Sequence, residues 1–168
     1  MSHIYVPIDY SYAKNAIPQG EDIIYSTLCK ATIDKSFGPL INKTKWISHV
    51  LMTEKGIAFS VPQKKKPTEF IYVPWYEIYH TWNDGIFLRS LNEMLIVTRD
   101  PDFESKEKFK ERRLKACRIF LPLLIKEKEK FLNSPENANI DKRKRRKIES
   151  SLRHNYKLYN NMKKKGWI

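Results

Sequence analysis

The sequence predicts a mainly β body with α at its C-terminal side. An antiparallel shell of about seven strands is capped by a long amphipathic helix and followed by a basic helical arm. From Asp22 to Arg99, short β-branched and aromatic runs are separated by turn signals. After Asp100-Pro101-Asp102 the apolar spacing changes from two to a helical period. Charge divides the chain at the same place. Residues 1–104 hold 11 Lys plus Arg against 12 Asp plus Glu, net −1, whereas residues 105–168 hold 21 against 7, net +14.

Those numbers bound the function classes. A chain of 168 residues that is 41% hydrophobic and 30% charged can bury a core. No apolar run approaches the ~18 residues of a spanning helix. The start MSHIYVPIDYSYAKN lacks the basic-then-apolar order of a secretory leader, so a soluble, cytoplasmic protein is expected, with a peripheral membrane location open to it. Cys29 and Cys117 are far apart and form no C-x-x-C pair, which fits a reducing compartment and offers no cysteine zinc site.

Strand by strand, Ile23 to Ile33 is the first, and a loop with Gly38 and Pro39 leads to the second, Trp46 to Thr53. Glu54-Lys55-Gly56 turns the chain into a third, where Ile57, Phe59 and Val61 alternate with Ala58 and Ser60, predicting one buried and one wet face. Lys64-Lys65-Lys66-Pro67 reads as a loop, because proline opposes a strand passing through it. Phe70 to Val73, stopped by Pro74, is the fourth strand, and Ile78 to Trp82 the fifth. Asn83-Asp84-Gly85 supplies a tight turn. Ile86 to Leu91 and Met94 to Thr98 form the last hairpin.

Ser105, with Glu104 and Glu107 beside it, starts a long helix that places Phe109, Ala116, Cys117, Phe120, Leu124 and Phe131 on one face. Pro122 inside it predicts a kink or an end. Ser134-Pro135-Glu136 reads as the start of a second helix, with Ile148, Leu152, Tyr156 and Tyr159 as a narrow apolar stripe. So narrow a stripe folds against a partner or against the body.

The hairpin His49-Val50-Leu51-Met52-Thr53-Glu54-Lys55-Gly56-Ile57-Ala58-Phe59 and the segment Ile71-Tyr72-Val73-Pro74-Trp75-Tyr76-Glu77-Ile78 resemble two stretches of GRAM and bacterial PH-like domains. In those domains a Thr-x-x-Gly-type turn joins two strands, and a hydrophobic-Pro-Trp/Tyr-x-x-Ile segment precedes the next. The resemblance covers residues 21 to about 132, leaving 1–20 as an N-terminal extension and 133–168 as the arm. It implies a seven-stranded PH-like barrel or sandwich that binds and does not catalyse, with phosphoinositide heads or proteins as ligands. The GLUE domain of endosomal sorting complexes, a ubiquitin and lipid reader, is similar in having a PH-like body.

The search for chemistry agrees with a binding module. His3, His49, His80 and His154 are dispersed, with no H-E-x-x-H pattern, and five glycines build no phosphate-cradling loop. No enzyme, cofactor or metal is expected. Lys35, Lys43 and Lys45 flank one loop and Lys64, Lys65 and Lys66 occupy another. Under the PH-like resemblance, these six lysines converge on an anionic head group. Lys142, Arg143, Lys144, Arg145, Arg146 and Lys147 form a polyanion-seeking run, with Tyr156, Tyr159 and Trp167 available to an interface. The leading expectation is an adaptor that places a protein partner at an anionic membrane. The alternatives are a GLUE-like reader of ubiquitin-like proteins and a nucleic-acid binder using the arm. A body near zero net charge, without an RNP-type aromatic signature, favours membrane or protein.

Overall fold

In the computed structural model, residues 17–34, 45–63, 66–78, 87–90, 93–98 and 105–168 are described. Strands β1 (Tyr25–Asp34), β2 (Lys45–Met52), β3 (Gly56–Gln63) and β4 (Lys66–Pro74) follow one another as a four-stranded antiparallel meander. The hairpin of β5 (Phe87–Ser90) and β6 (Glu93–Thr98) returns to pair with the far edge of β1, giving the order β4-β3-β2-β1-β6-β5. Two helices complete the chain, α1 (Lys106–Asn133) and α2 (Lys142–Lys164). The molecule is therefore a mixed α/β protein, an antiparallel sheet followed by two C-terminal helices.

Among the described residues there are six strands, and the expected fifth, Ile78 to Trp82, lies outside them but for its first residue. Ile78 closes a 3-10 turn over Trp75–Glu77. The lysine loop differs from expectation, because β4 begins at Lys66 and runs through Pro67. A strand tolerates proline at its start and on an edge, and among the described residues β4 is an edge strand. Pro62 lies in β3 where the register with β4 shifts, another place where a missing donor is absorbed.

The core forms between one sheet face and α1. Val50 and Met52 of β2, Ile57 and Phe59 of β3 and Val73 of β4 alternate inward and meet Ala116, Cys117, Phe120, Leu121 and Leu124. The opposite face is not wet as the alternation predicted. Leu51 and Ala58 are fully buried there beneath Ile17 and Ile23, because the segment before β1 crosses them and Ile24 donates its N–H to the Met52 carbonyl. Farther along, where the β2–β3 ladder stops, side chains substitute for it. The Ser60 hydroxyl accepts from the His49 N–H at 2.8 Å, and the Ser48 hydroxyl donates to the Ser60 carbonyl at 3.0 Å.

The two segments that carried the family resemblance are one packed unit. Thr53 Oγ1 accepts from the N–H groups of Lys55 and Gly56 and donates to Glu21 Oε1 at 2.6 Å, which closes the Thr-x-x-Gly turn. Trp75, wholly buried, donates its indole N–H to the Thr53 carbonyl at 2.9 Å and its backbone N–H to the Lys55 carbonyl at 3.0 Å. Gly56 pairs with Pro74, and a Cβ on it would lie 2.5 Å from the Tyr72 ring, so a close approach of strands demands glycine here. Trp75 then stacks on Phe120 of α1, which ties the turn to the helix.

Helix α1 starts at Ser105 as predicted, the hydroxyl accepting from the Lys108 N–H. It does not end at Pro122 but continues as 28 residues, with that proline on the exposed side of the helix. The second helix does not start at Ser134. Pro135–Asn137 is a short 3-10 turn, and Asp141 is the N-cap of α2, its carboxylate accepting from the Arg143 N–H at 2.6 Å. Asn137 Nδ2 bonds the Phe131 carbonyl, and the Arg145 guanidinium bonds the carbonyls of Leu132 and Asn137. The loop thereby satisfies the carbonyls that α1 leaves open at its end. Phe131 meets Lys144 and Arg118 meets Trp167, so α2 runs antiparallel along α1, and the arm is folded against the body.

Candidate functional site

Packing of α2 decides which of its cations face outward. Ile148, Ser151, Asn155 and Met162 are buried, and at 100° per residue they fill one side of the helix. Away from them, on an arc that runs from directly opposite to the Ser151 flank, lie Lys142, Arg143, Arg146, Lys147, Arg153, Lys157 and Lys164, all exposed, while Lys163, also exposed, lies on the other flank. These seven cations form a ridge roughly 33 Å long, at 1.5 Å rise per residue. The only carboxylate in α2 is Glu149, partly buried outside the ridge and 3.8 Å from Arg145.

The predicted run thus splits. Lys142, Arg143, Arg146 and Lys147 belong to the ridge. Arg145 is committed to loop carbonyls, and Lys144 lies over the Phe131 ring at 5.6 Å. The predicted aromatic edge is also redistributed. Tyr159 and Trp167 pack on the core, and Tyr156 donates its hydroxyl to Glu129 of α1, which takes all three away from the ridge.

Of the loop lysines, Lys45 opens β2 and Lys66 opens β4, paired with Gln63. Since β2, β3 and β4 are antiparallel neighbours, these two positions share one end of the sheet. Lys35, Lys43, Lys64 and Lys65 lie outside the described residues. Of the histidines, His49 is buried in β2, where desolvation holds its pKa below the usual value, and His154 is exposed on α2. Among the described residues no group of three or more His, Cys, Asp or Glu is placed to hold a metal ion. No helix among them is long and apolar enough to cross a membrane.

One charged residue escaped the sequence reading. Lys128 is fully buried between α1 and α2, its ammonium donating to Ser151 Oγ at 2.5 Å and Asn155 Oδ1 at 2.6 Å. The Ser151 hydroxyl in turn donates to the Ile78 carbonyl at 3.3 Å, which links both helices to the end of the Trp75 turn. Burial pushes the Lys128 pKa down to about 7. An amine near neutrality beside a serine hydroxyl has the composition of a Ser–Lys hydrolytic pair. Here Lys128 and Asn155 are wholly buried and Ser151 is 4% exposed, so the cluster is sealed and pins the helices together. The signal was present in the spacing. Cys117, Leu121, Leu124 and Lys128 fall at steps of four, three and four, so Lys128 occupies a seam position where an apolar residue is the rule.

The chain matches no protein-family model and no curated relative.

Proposed function

We propose that the protein is a noncatalytic PH/GRAM-like binding module that docks on an anionic membrane surface through the α2 ridge. The ridge itself carries this reading: seven exposed cations on one arc with no carboxylate among them. Each basic residue held near an anionic leaflet contributes about 1 kcal/mol, enough together for reversible recruitment. The apolar side of α2 is already buried in the body, so the helix adsorbs by charge and does not insert. Lys45 and Lys66, at one end of the sheet, offer the second anionic contact expected of a PH-like scaffold.

Support for the PH-like part is the order of elements, an antiparallel meander, a hairpin returning to the first strand, and then a long helix over the sheet. The contact between the Thr53–Gly56 turn and Trp75 adds to it. An apolar reader of ubiquitin-like proteins has less to rest on, since the exposed large hydrophobics among the described residues are Ile24 and Tyr156.

Vesicle co-sedimentation tests the proposal, with phosphatidylcholine alone or mixed with phosphatidylserine, at low and high salt. The chain is expected to pellet with the mixed vesicles, to be released by salt, and to lose most binding in Arg146→Gln/Arg153→Gln/Lys157→Gln. Equal pelleting on neutral and anionic vesicles would overturn the reading. Tighter, more steeply salt-dependent binding to duplex DNA than to the anionic vesicles would transfer the ridge to nucleic acid.

A further inference from the structure

Where the ridge ends, at Lys164, we infer that the C-terminal end of α2 holds a binding pocket for a small amphiphilic anion. A cavity of about 340 Å³ opens there, lined by Leu158, Met162 and Trp167 with Asn161, Lys164 and Lys165. That volume is at the lower end of the range for small-molecule sites, roughly 300–1,000 Å³.

The pocket is built by local chain chemistry. Gly166 adopts φ +72°, its N–H bonds the Lys163 carbonyl, and the Trp167 N–H bonds the Met162 carbonyl at 2.9 Å. This is a Schellman termination, in which glycine takes the left-handed position and the next residue folds back against the last turn. Arg118 of α1 fixes the fold-back by donating Nε–H to the Trp167 carbonyl at 2.6 Å. The indole is thereby held as one wall, with Leu158 and Met162 as further apolar lining.

Charge selects the ligand. Lys165 lies 4.6 Å from the Trp167 ring centre and Lys110 of α1 reaches the same ring at 5.9 Å. Lys164 lines the pocket as well, and among the described residues no carboxylate lines it. An apolar wall beside two or three ammonium groups favours a molecule with an apolar body and a carboxylate or phosphate head, since each ammonium adds a charge-assisted bond to the anion. A single-chain lipid and a soluble aromatic acid both have that chemistry.

Titration calorimetry of the full chain with decanoate, decyl phosphate, naphthoate and decanol, each below its micellar concentration, tests the site. At least one of the anions is expected to bind roughly tenfold tighter than decanol. Trp167→Ala is expected to weaken that anion roughly tenfold. Lys164→Gln/Lys165→Gln, a change of exposed side chains that leaves the fold intact, should weaken the anion and not the alcohol. A preference for decanoate or decyl phosphate assigns a single-chain lipid, and a preference for naphthoate assigns a soluble aromatic acid. Decanol binding as tightly as the anions, no binding by any anion, or indifference to both variants would overturn the inference. The ridge variant Arg146→Gln/Arg153→Gln/Lys157→Gln is expected to keep this binding, so failure of the membrane reading and failure of the pocket give different results.

Discussion

Replacing Lys128 by Met removes a buried cation and reads its cost directly. In the unfolded chain the amine titrates at its ordinary value of 10.5, and in the fold burial lowers it to about 7. The unfolded state therefore holds more protons between those values, so stability rises as pH climbs from about 7 to 10.5 and is flat below that window. At about 1.4 kcal/mol per tenfold change, the charge costs on the order of 4 kcal/mol at neutral pH. Methionine fills the same slender volume without that cost, but it strands Asn155, whose Nδ2 already has no acceptor among the described residues. Losing the bonds to Ser151 and Asn155 returns roughly 2–3 kcal/mol. Lys128→Met is thus expected to be about 1 kcal/mol more stable at neutral pH, and Lys128→Met/Asn155→Leu roughly 3 kcal/mol more stable, the behaviour of buried charges replaced by apolar isosteres. Urea unfolding at neutral pH and near the top of the window measures it, with the exposed lysines common to both chains cancelling in the difference. Native protein and Lys128→Met showing the same pH dependence across the window would refute the reasoning.

Gly56→Ala is expected to destabilise by about 1–3 kcal/mol, read from the denaturant midpoint, because the new methyl group meets the Tyr72 ring and the Val73 carbonyl, 2.7 Å away. Asp141→Ala should cost about 1 kcal/mol and speed hydrogen exchange at Arg143 selectively, since one carboxylate caps that N–H; unchanged exchange there would move the helix start elsewhere.

Elements were legible where a single local rule decides them. The period-two runs placed β2 and β3 within a residue or two, since Val50, Met52, Ile57 and Phe59 must all reach one core. Ser105 was legible as a cap because its hydroxyl serves a backbone N–H three residues away. The second helix start was misplaced because Ser134-Pro135 is as good a local signal as Asp141, and the choice falls to Arg145, which bonds the end of α1 only if the loop is made first. The burial of Ala58 and Ser60 was illegible, because what covers them arrives from far along the chain: Ile17 and Ile23 over Ala58, and the bonds of Ser48 and His49 to Ser60. For the ridge, sequence gave the abundance of charge but not its direction. The stripe Ile148, Leu152, Tyr156, Tyr159 pointed the helix about a quarter turn away from the face that Ser151 and Asn155 bury.

That difference in direction has a cause in Lys128. An apolar seam between two helices is satisfied by several rotations of α2, since aliphatic contacts have no fixed donor or acceptor. A buried ammonium is satisfied only where acceptors meet it, and on α2 these are Ser151 Oγ and Asn155 Oδ1, one turn apart. Any rotation or one-residue slide that removes them leaves a bare charge in the core, at several kcal/mol. The orientation that feeds Lys128 also sends Lys142, Arg146, Arg153 and Lys157 to the opposite side, where they form the ridge. The buried cation therefore gives up stability to fix where the exposed ones point. On that account Lys128→Met/Asn155→Leu is expected to be the more stable protein and, under the proposed function, the poorer membrane binder, because α2 is freed to turn; greater stability with undiminished vesicle binding would separate the seam from the ridge.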